Sequence, residues 1–137
     1  MPARRIRVQL SPAAAWSLLA AYAAIIFYVS SLSDPLRVIH VPSGPVPHAI
    51  EFSGLGLLLF VTGTVQPFGP RPWRFVAMVA LGWLYAASDE WHQSFVPGRT
   101  CELADWLVDA AAVLAAVVVL ALLERRGRLR VRRPRPD

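Results

Sequence analysis

Four stretches of the chain have the length and the apolar character that a bilayer-spanning helix requires, or nearly so. Residues 12–32 contain no charged side chain over 21 positions, and residues 110–123 contain none over 14. Residues 52–65 and 75–88 are also free of charge, with polar groups close to one end. A spanning helix needs roughly 20 mostly apolar residues. The predicted helices are residues 12–32, 46–65, 73–90 and 103–123.

Proline clusters separate these stretches and support the division. Since proline disrupts the interior of a helix, its concentration in three short segments marks the connections between helices. The chain has 137 residues and is 55% hydrophobic, which fits one membrane domain better than a soluble fold. We therefore predict an all-α, polytopic membrane bundle of four transmembrane helices. It comprises a basic N-terminal segment (1–11), the helical domain (12–123) and a basic tail (124–137).

Arginines predict the orientation of this bundle. All 14 basic residues other than histidine are arginines. Three precede the first predicted helix, two lie between the second and third, and seven follow the fourth, so twelve share one side. Only Arg37 and Arg99 fall in the other two connections. The positive-inside rule then places both termini in the cytoplasm and the protein in the cell membrane as a multi-pass chain.

Two alternative interpretations of the basic ends are less favoured. The first apolar run follows arginines as in a signal peptide, but it is longer than an ordinary hydrophobic region and no clear cleavage site follows it. The tail could contact nucleic acid or membrane lipids. Because it directly follows a spanning helix and contains no folded module, we expect membrane lipids as partners and no nucleic acid.

Ionisable residues in the outer half of the predicted bundle are the strongest functional signal. A charge at the centre of a spanning helix costs roughly 2.5 to 3.5 kcal/mol on insertion scales, so such residues need a reason. In this topology the second helix begins, the third ends and the fourth begins on the outer side. Helical spacing places the acids of the fourth helix on one face. The candidate functional cluster is His48, Glu51, Asp89, Glu90, His92, Gln93, Arg99, Asp105 and Asp109.

A predicted tight turn at residues 96–99 brings Arg99 back towards this cluster. Pro97 fixes its own φ, and Gly98 accepts a positive φ at the next position. We expect Arg99 to contact the carboxylates directly, because a guanidinium forms strong bidentate contacts with acids in a cleft of low dielectric constant.

These residues resemble the signature of the VanZ-like family of small bacterial integral membrane proteins. Residues 89–99 read DEWHQSFVPGR and are followed by Asp105 and Asp109, which is similar to the family pattern of DE-x-x-Q-x-F-x-P-x-R and two later polar residues. Residues 48–56, HAIEFSGLG, resemble a second family motif. Gly44 and Pro45 replace an Asp-Lys pair of many members, Phe52 replaces a tyrosine, and Ala112 replaces a glycine.

The resemblance implies a cell-envelope protein, because the namesake of the family is associated with resistance to the lipoglycopeptide teicoplanin. No reaction is implied. Our first hypothesis is that the outer polar cleft binds an amphiphilic glycolipid, lipopeptide or lipid-linked headgroup. The alternatives are an acid-base or metal-assisted enzyme acting on such a headgroup, with His48 as base and Glu90 as acid, and a small proton-coupled transporter.

A purely structural ion network is the competing explanation of the cluster. Acids near a helix N-terminus are stabilised by its dipole, and Arg99 could act only as a counter-ion. The sequence shows no zinc spacing, phosphate loop or nucleophile motif, so we assign no cofactor and no metal ligand. It leaves open whether a reaction is catalysed and which oligomeric state the protein adopts.

Overall fold

Four α-helices form most of the computed structural model, which describes residues 5–33, 44–66 and 69–134. In chain order they are α1 (Pro12–Ser30), α2 (Pro45–Val65), α3 (Arg71–Gln93) and α4 (Leu103–Arg125). Proline occupies the first turn of α1, α2 and α3, where its missing N–H removes no helical hydrogen bond. Arg4, Arg37 and Arg135, which enter the orientation argument, lie outside the described residues.

Three helices, α1, α2 and α4, are long and apolar enough to cross a membrane. Helix α3 has 23 residues, as many as α4, but its sequence is less apolar. It continues to Gln93, beyond the expected end at residue 90. The extension puts His92 and Gln93 on the same regular helix as Asp89 and Glu90.

Helix α2 lies at the centre and contacts the other three helices. Its contact with α4 is close because α2 has glycine where the two backbones meet. A Cβ atom added at Gly56 would lie 2.9 Å from both the Val113 carbonyl oxygen and the Ala116 Cβ. Val113 and Val117 of α4 are fully buried in the resulting core, beside Phe52 of α2. Small residues at such a contact let two helices approach each other closely.

A two-stranded parallel sheet joins the two basic ends of the chain. Strand β1 (Ile6–Gln9) pairs with β2 (Leu129–Arg132), and Ile6 is opposite Leu129. Leu129 and Val131 are buried, whereas the alternate residues Arg130 and Arg132 are exposed. The sequence did not predict this sheet, because four-residue strands more than 100 positions apart give no recognisable pattern. It places both ends of the described chain at the same end of the helices.

Candidate functional site

Besides Ser30 of α1, four buried polar side chains lie at the opposite end of the helices from the sheet. Asp89, Glu90 and Gln93 of α3 are 4%, 3% and 3% exposed, and Asp109 of α4 is fully buried. Buried carboxylates are costly unless they have partners. The hydrogen-bond partners of these four side chains therefore decide how the site is stabilised.

Asp89 is held between α1 and its own helix. Its Oδ2 accepts hydrogen bonds from Ser30 Oγ (2.8 Å) and from Gln93 Nε2 (2.9 Å). Its Oδ1 is buried and has no hydrogen-bond partner in the described part of the chain. One oxygen of this carboxylate is thus fully used by the fold, and the other remains available to a donor.

Glu90 faces the start of α4. Its Oε2 accepts a hydrogen bond from the backbone N–H of Glu102 (3.0 Å), the residue that precedes α4, and its Oε1 accepts one from Gln93 Nε2 (3.3 Å). A carboxylate at the N-terminus of a helix is stabilised by the helix dipole. Glu90 therefore links the end of α3 to the beginning of α4.

The predicted turn is confirmed. The Arg99 backbone N–H donates to the Val96 carbonyl oxygen (3.1 Å), and Gly98 has φ of +81°, a conformation that glycine adopts without strain. The turn returns the Arg99 side chain to the end of α3, where it is half-buried.

The expected direct contact between Arg99 and the acids is not formed within the described residues. Arg99 Nη2 donates instead to Gln93 Oε1 (2.7 Å), and its buried Nε has no partner among residues 5–33, 44–66 and 69–134. Gln93 has both a donor and an acceptor, so its single amide group bridges the guanidinium to Asp89 and Glu90. The prediction of direct contact was wrong because it did not consider that the Gln93 amide lies between Arg99 and the acids.

His48 of α2 pairs with the acids of α4. Its Nδ1 lies 3.3 Å from Asp109 Oδ1, and its Nε2 lies 4.0 Å from Asp105 Oδ2. Asp105 and Asp109 thus approach the same imidazole, as their spacing of one helical turn allows. Glu51 is half-buried one turn further along α2, and its backbone carbonyl accepts a hydrogen bond from the Tyr22 hydroxyl (3.0 Å).

The two groups of side chains meet at Glu90. One possible ligand atom from each of His48, Glu90 and Asp109 lies within 4.8 Å of the other two. Imidazole nitrogen and carboxylate oxygen are ligands for several divalent transition metals. The arrangement can therefore hold either a shared proton network or a divalent cation.

His92 lies on another side of α3, against α1. Its ring stacks on Phe27 with a centroid separation of 4.2 Å, and its Nε2 lies 3.0 Å from Ser31 Oγ. Its described contacts are with α1 and not with the carboxylate and Arg99 network. It forms part of a surface groove instead.

This groove lies beside the buried cluster, between α1 and the end of α3. It has a volume of about 240 Å³. Aromatic rings form most of its wall, and polar atoms come from Ser88, Asp89 and His92. The aromatic side chains are Phe27, Tyr85, Trp91 and Phe95. We call it the aromatic groove.

Two contributors to the site were not identified from the sequence. Ser30 donates to Asp89, and Phe27 stacks on His92, yet both belong to an otherwise apolar first helix. A serine near the end of such a helix usually has no special role. Only its burial, with 3% exposure, distinguishes Ser30 from the exposed Ser17 and Ser31.

Fold and site define a small helical protein, with three helices apolar enough to cross a membrane and a buried network of acids, amide and imidazole at one end. The sequence profile of the VanZ/LLP1 family matches residues 3–124. The chain therefore belongs to the VanZ/LLP1 family, in agreement with the resemblance of residues 89–99. No protein of curated function and no solved structure matches it.

Proposed function

We propose that this VanZ-like protein is an integral membrane protein of the cell envelope with four spanning helices and both termini in the cytoplasm. Helix α3 packs against both α2 and α4, and its acids Asp89 and Glu90 are buried there. Its exposed residues between the ends include apolar side chains such as Leu84. The sheet between β1 and β2 supports placing both ends of the chain on one side. The arginine-rich sequence of that end favours the cytoplasmic side.

We further propose that the outer end binds the headgroup of an amphiphile. The observation that carries this proposal is the aromatic groove, in which apolar rings adjoin Asp89 and His92 directly. Trp91 and Phe95 are 67% and 68% exposed, as expected for side chains at a membrane interface. A lipid tail fits against the rings while a polar headgroup reaches the buried cluster.

Two unpaired polar atoms favour a ligand with both donors and acceptors. Among the residues that the structure describes, Asp89 Oδ1 is a buried acceptor that has no donor, and Arg99 Nε is a buried donor that has no acceptor. Unpaired buried groups of this kind are uncommon in native proteins and call for a partner. Sugar hydroxyls, amines and acidic groups supply both kinds of partner, so we favour a glycolipid, lipopeptide or lipid-linked headgroup.

A lipoglycopeptide antibiotic has the same combination of sugars, ionised groups and acyl chain. We therefore propose that this protein binds teicoplanin-type molecules and contributes to resistance against them. Sequestering such a molecule at the outer surface requires no chemical step, so the proposed function is not enzymatic.

Binding is tested with purified protein in nanodiscs, using teicoplanin and its deacylated core as probes. We expect Asp89→Asn to weaken teicoplanin binding at least tenfold, and the deacylated core to bind less well than the acylated molecule. Glu102→Gln is the control, because this exposed side chain bonds to Thr100 outside the network. Equal affinity of the wild type and Asp89→Asn, with both correctly inserted, would reject the proposal.

The cluster of His48, Glu90 and Asp109 favours a second candidate, a metal-assisted membrane enzyme acting on a lipid-linked headgroup. Elemental analysis of protein equilibrated with Zn²⁺ or Mn²⁺ and then desalted tests it. We expect about one ion per chain in the wild type and in His92→Ala, and none in His48→Ala. His92 is the matched control because it stacks on Phe27, outside the cluster. No retained ion in the wild type would remove this candidate.

A further inference from the structure

A second groove lies at the other end of the helices, between the start of α3 and the end of α4. Its volume is about 450 Å³. Phe75, Val118, Ala121 and Leu122 form its apolar wall, and Arg71 and Arg125 lie among its lining residues. Val118 and Arg125 are seven residues apart, so the groove follows α4 over roughly 10 Å. We call it the basal groove.

A polar hollow of about 350 Å³ adjoins this groove and shares Arg71 and Arg125 with it. Strand β2 adds Arg130 and Arg132, whose side chains are exposed while Leu129 and Val131 of the same strand are buried. The sheet therefore holds arginines at a fixed position beside the end of the apolar groove.

Among the described residues, Glu124 is the acid that lines the hollow, and it is already paired. Its Oε2 lies 2.9 Å from Arg71 Nη2, which fixes the Arg71 side chain at the junction of the two cavities. Four arginines against one glutamate leave a clear excess of positive charge. An anionic group at this point would meet guanidinium donors on several sides, and arginine binds phosphate through paired N–H groups.

We propose that the basal groove and the adjoining hollow together bind one phospholipid with an anionic headgroup. The phosphate lies among Arg71, Arg125 and the arginines of β2, and one acyl chain follows the apolar wall. Basic pockets between membrane helices are suited to anionic lipids, whereas a freely moving basic tail attracts them without a defined site. The proposal rests on the membrane topology proposed above and not on ligand binding at the outer end.

Native mass spectrometry of the protein in mixed vesicles of phosphatidylglycerol and phosphatidylcholine tests the proposal. We expect one phosphatidylglycerol to remain bound to the wild type after detergent extraction, in preference to phosphatidylcholine. Arg125→Gln should weaken this retention about fivefold, the factor that corresponds to about 1 kcal/mol for one arginine near an anionic membrane surface. Arg126→Gln is the matched control, since Arg126 is exposed and lines neither cavity.

A second variant separates a built site from general charge attraction. Ala121→Trp fills the apolar wall without changing any charge, and it should also reduce retention of phosphatidylglycerol. Glycerol phosphate should not compete, because it lacks the acyl chain. Equal losses in Arg125→Gln and Arg126→Gln, or full retention in Ala121→Trp, would overturn the proposal. Circular dichroism and size-exclusion profiles confirm that each variant is folded, and teicoplanin binding reports separately on the outer end.

Discussion

Both ends of the molecule contain several ionisable side chains, but one end buries its acids and the other exposes its arginines. At the end opposite the sheet, which we propose to lie on the outer side, Asp89, Glu90 and Asp109 are buried and bonded to groups outside their own helices. At the sheet end, arginines such as Arg130 and Arg132 are exposed. Buried ionisable groups need specific partners, whereas exposed ones are solvated at little cost. The acids opposite the sheet therefore depend on specific hydrogen-bond partners, whereas the arginines at the sheet end act mainly through their total positive charge.

The largest expected effect concerns the side of the membrane on which each end lies. Cys101 is exposed in the connection between α3 and α4, and it is the only cysteine of the chain. In intact cells a membrane-impermeant maleimide should label Cys101 fully. In the variant Cys101→Ser/Pro70→Cys, labelling should occur only after permeabilisation, because Pro70 precedes α3 at the opposite end.

The same experiment tests whether α3, the least apolar of the four described helices, crosses the membrane. If Cys101 and the cysteine at position 70 react from the same side, α3 does not span the membrane. If Cys101 is labelled only after permeabilisation and the Pro70→Cys variant is labelled in intact cells, the orientation is the opposite of the one proposed. A mass-tagged maleimide quantifies the labelled fraction on a gel.

A comparison of two glutamines at opposite ends should give the next largest effect. Gln93 joins Asp89, Glu90 and Arg99, whereas the exposed Gln66 accepts one bond from Trp16 Nε1 (3.3 Å). Gln93→Leu removes three hydrogen bonds to charged groups. Asp89 and Glu90 keep their bonds to Ser30 and to the Glu102 backbone, but three lost charge-assisted bonds should still cost about 3 kcal/mol or more. Gln66→Leu should cost less than about 1 kcal/mol.

The free energy of unfolding, measured by titration with sodium dodecyl sulfate in mixed micelles, checks this difference. Equal losses of unfolding free energy in the two variants would contradict the prediction that Gln93 contributes more than Gln66. A large loss in Gln66→Leu alone would contradict it as well.

Sequence patterns predicted one part of the site well. Helical spacing placed Asp105 and Asp109 on one face, and both approach His48 in the structure. The turn at residues 96–99 followed from Pro97 and Gly98, whose backbone preferences are local. These features depend on neighbours in the chain, so the sequence contains the information directly.

Other features depend on contacts that no local pattern reveals. The bond from Ser30 to Asp89 joins residues 59 positions apart and depends on the rotation of α1 about its axis. The intermediary role of Gln93 depends on the distance between Arg99 and the acids in space. The pairing of β1 with β2 depends on the helices bringing the two ends of the chain together.

Substitutions of two arginines, Arg99 and Arg126, should differ by a smaller amount in their effect on the free energy of unfolding. Arg99 is half-buried and donates to Gln93, whereas Arg126 is exposed. Replacing Arg99 with glutamine removes a bond to a buried amide, so we expect a loss of about 2 kcal/mol. Arg126→Gln should change stability by less than about 0.5 kcal/mol, as most surface substitutions do. Unfolding titrations of both variants decide the matter, and equal losses would show that Arg99 acts only through its general charge.

The smallest effect tests whether the first helix takes part in the outer network. Ser30→Ala removes the donor to Asp89 Oδ2, while Ser17→Ala changes an exposed serine of the same helix. Hydrogen bonds between membrane helices average about 0.6 kcal/mol, so Ser30→Ala should lose about that amount and Ser17→Ala almost none. The remaining bond from Gln93 still holds Asp89, which keeps the loss small.

In the double variant Ser30→Ala/Gln93→Leu, the loss of unfolding free energy should exceed the combined losses of the single variants, because Asp89 then has neither donor. Strict additivity would mean that the bonds from Ser30 and Gln93 do not share one carboxylate.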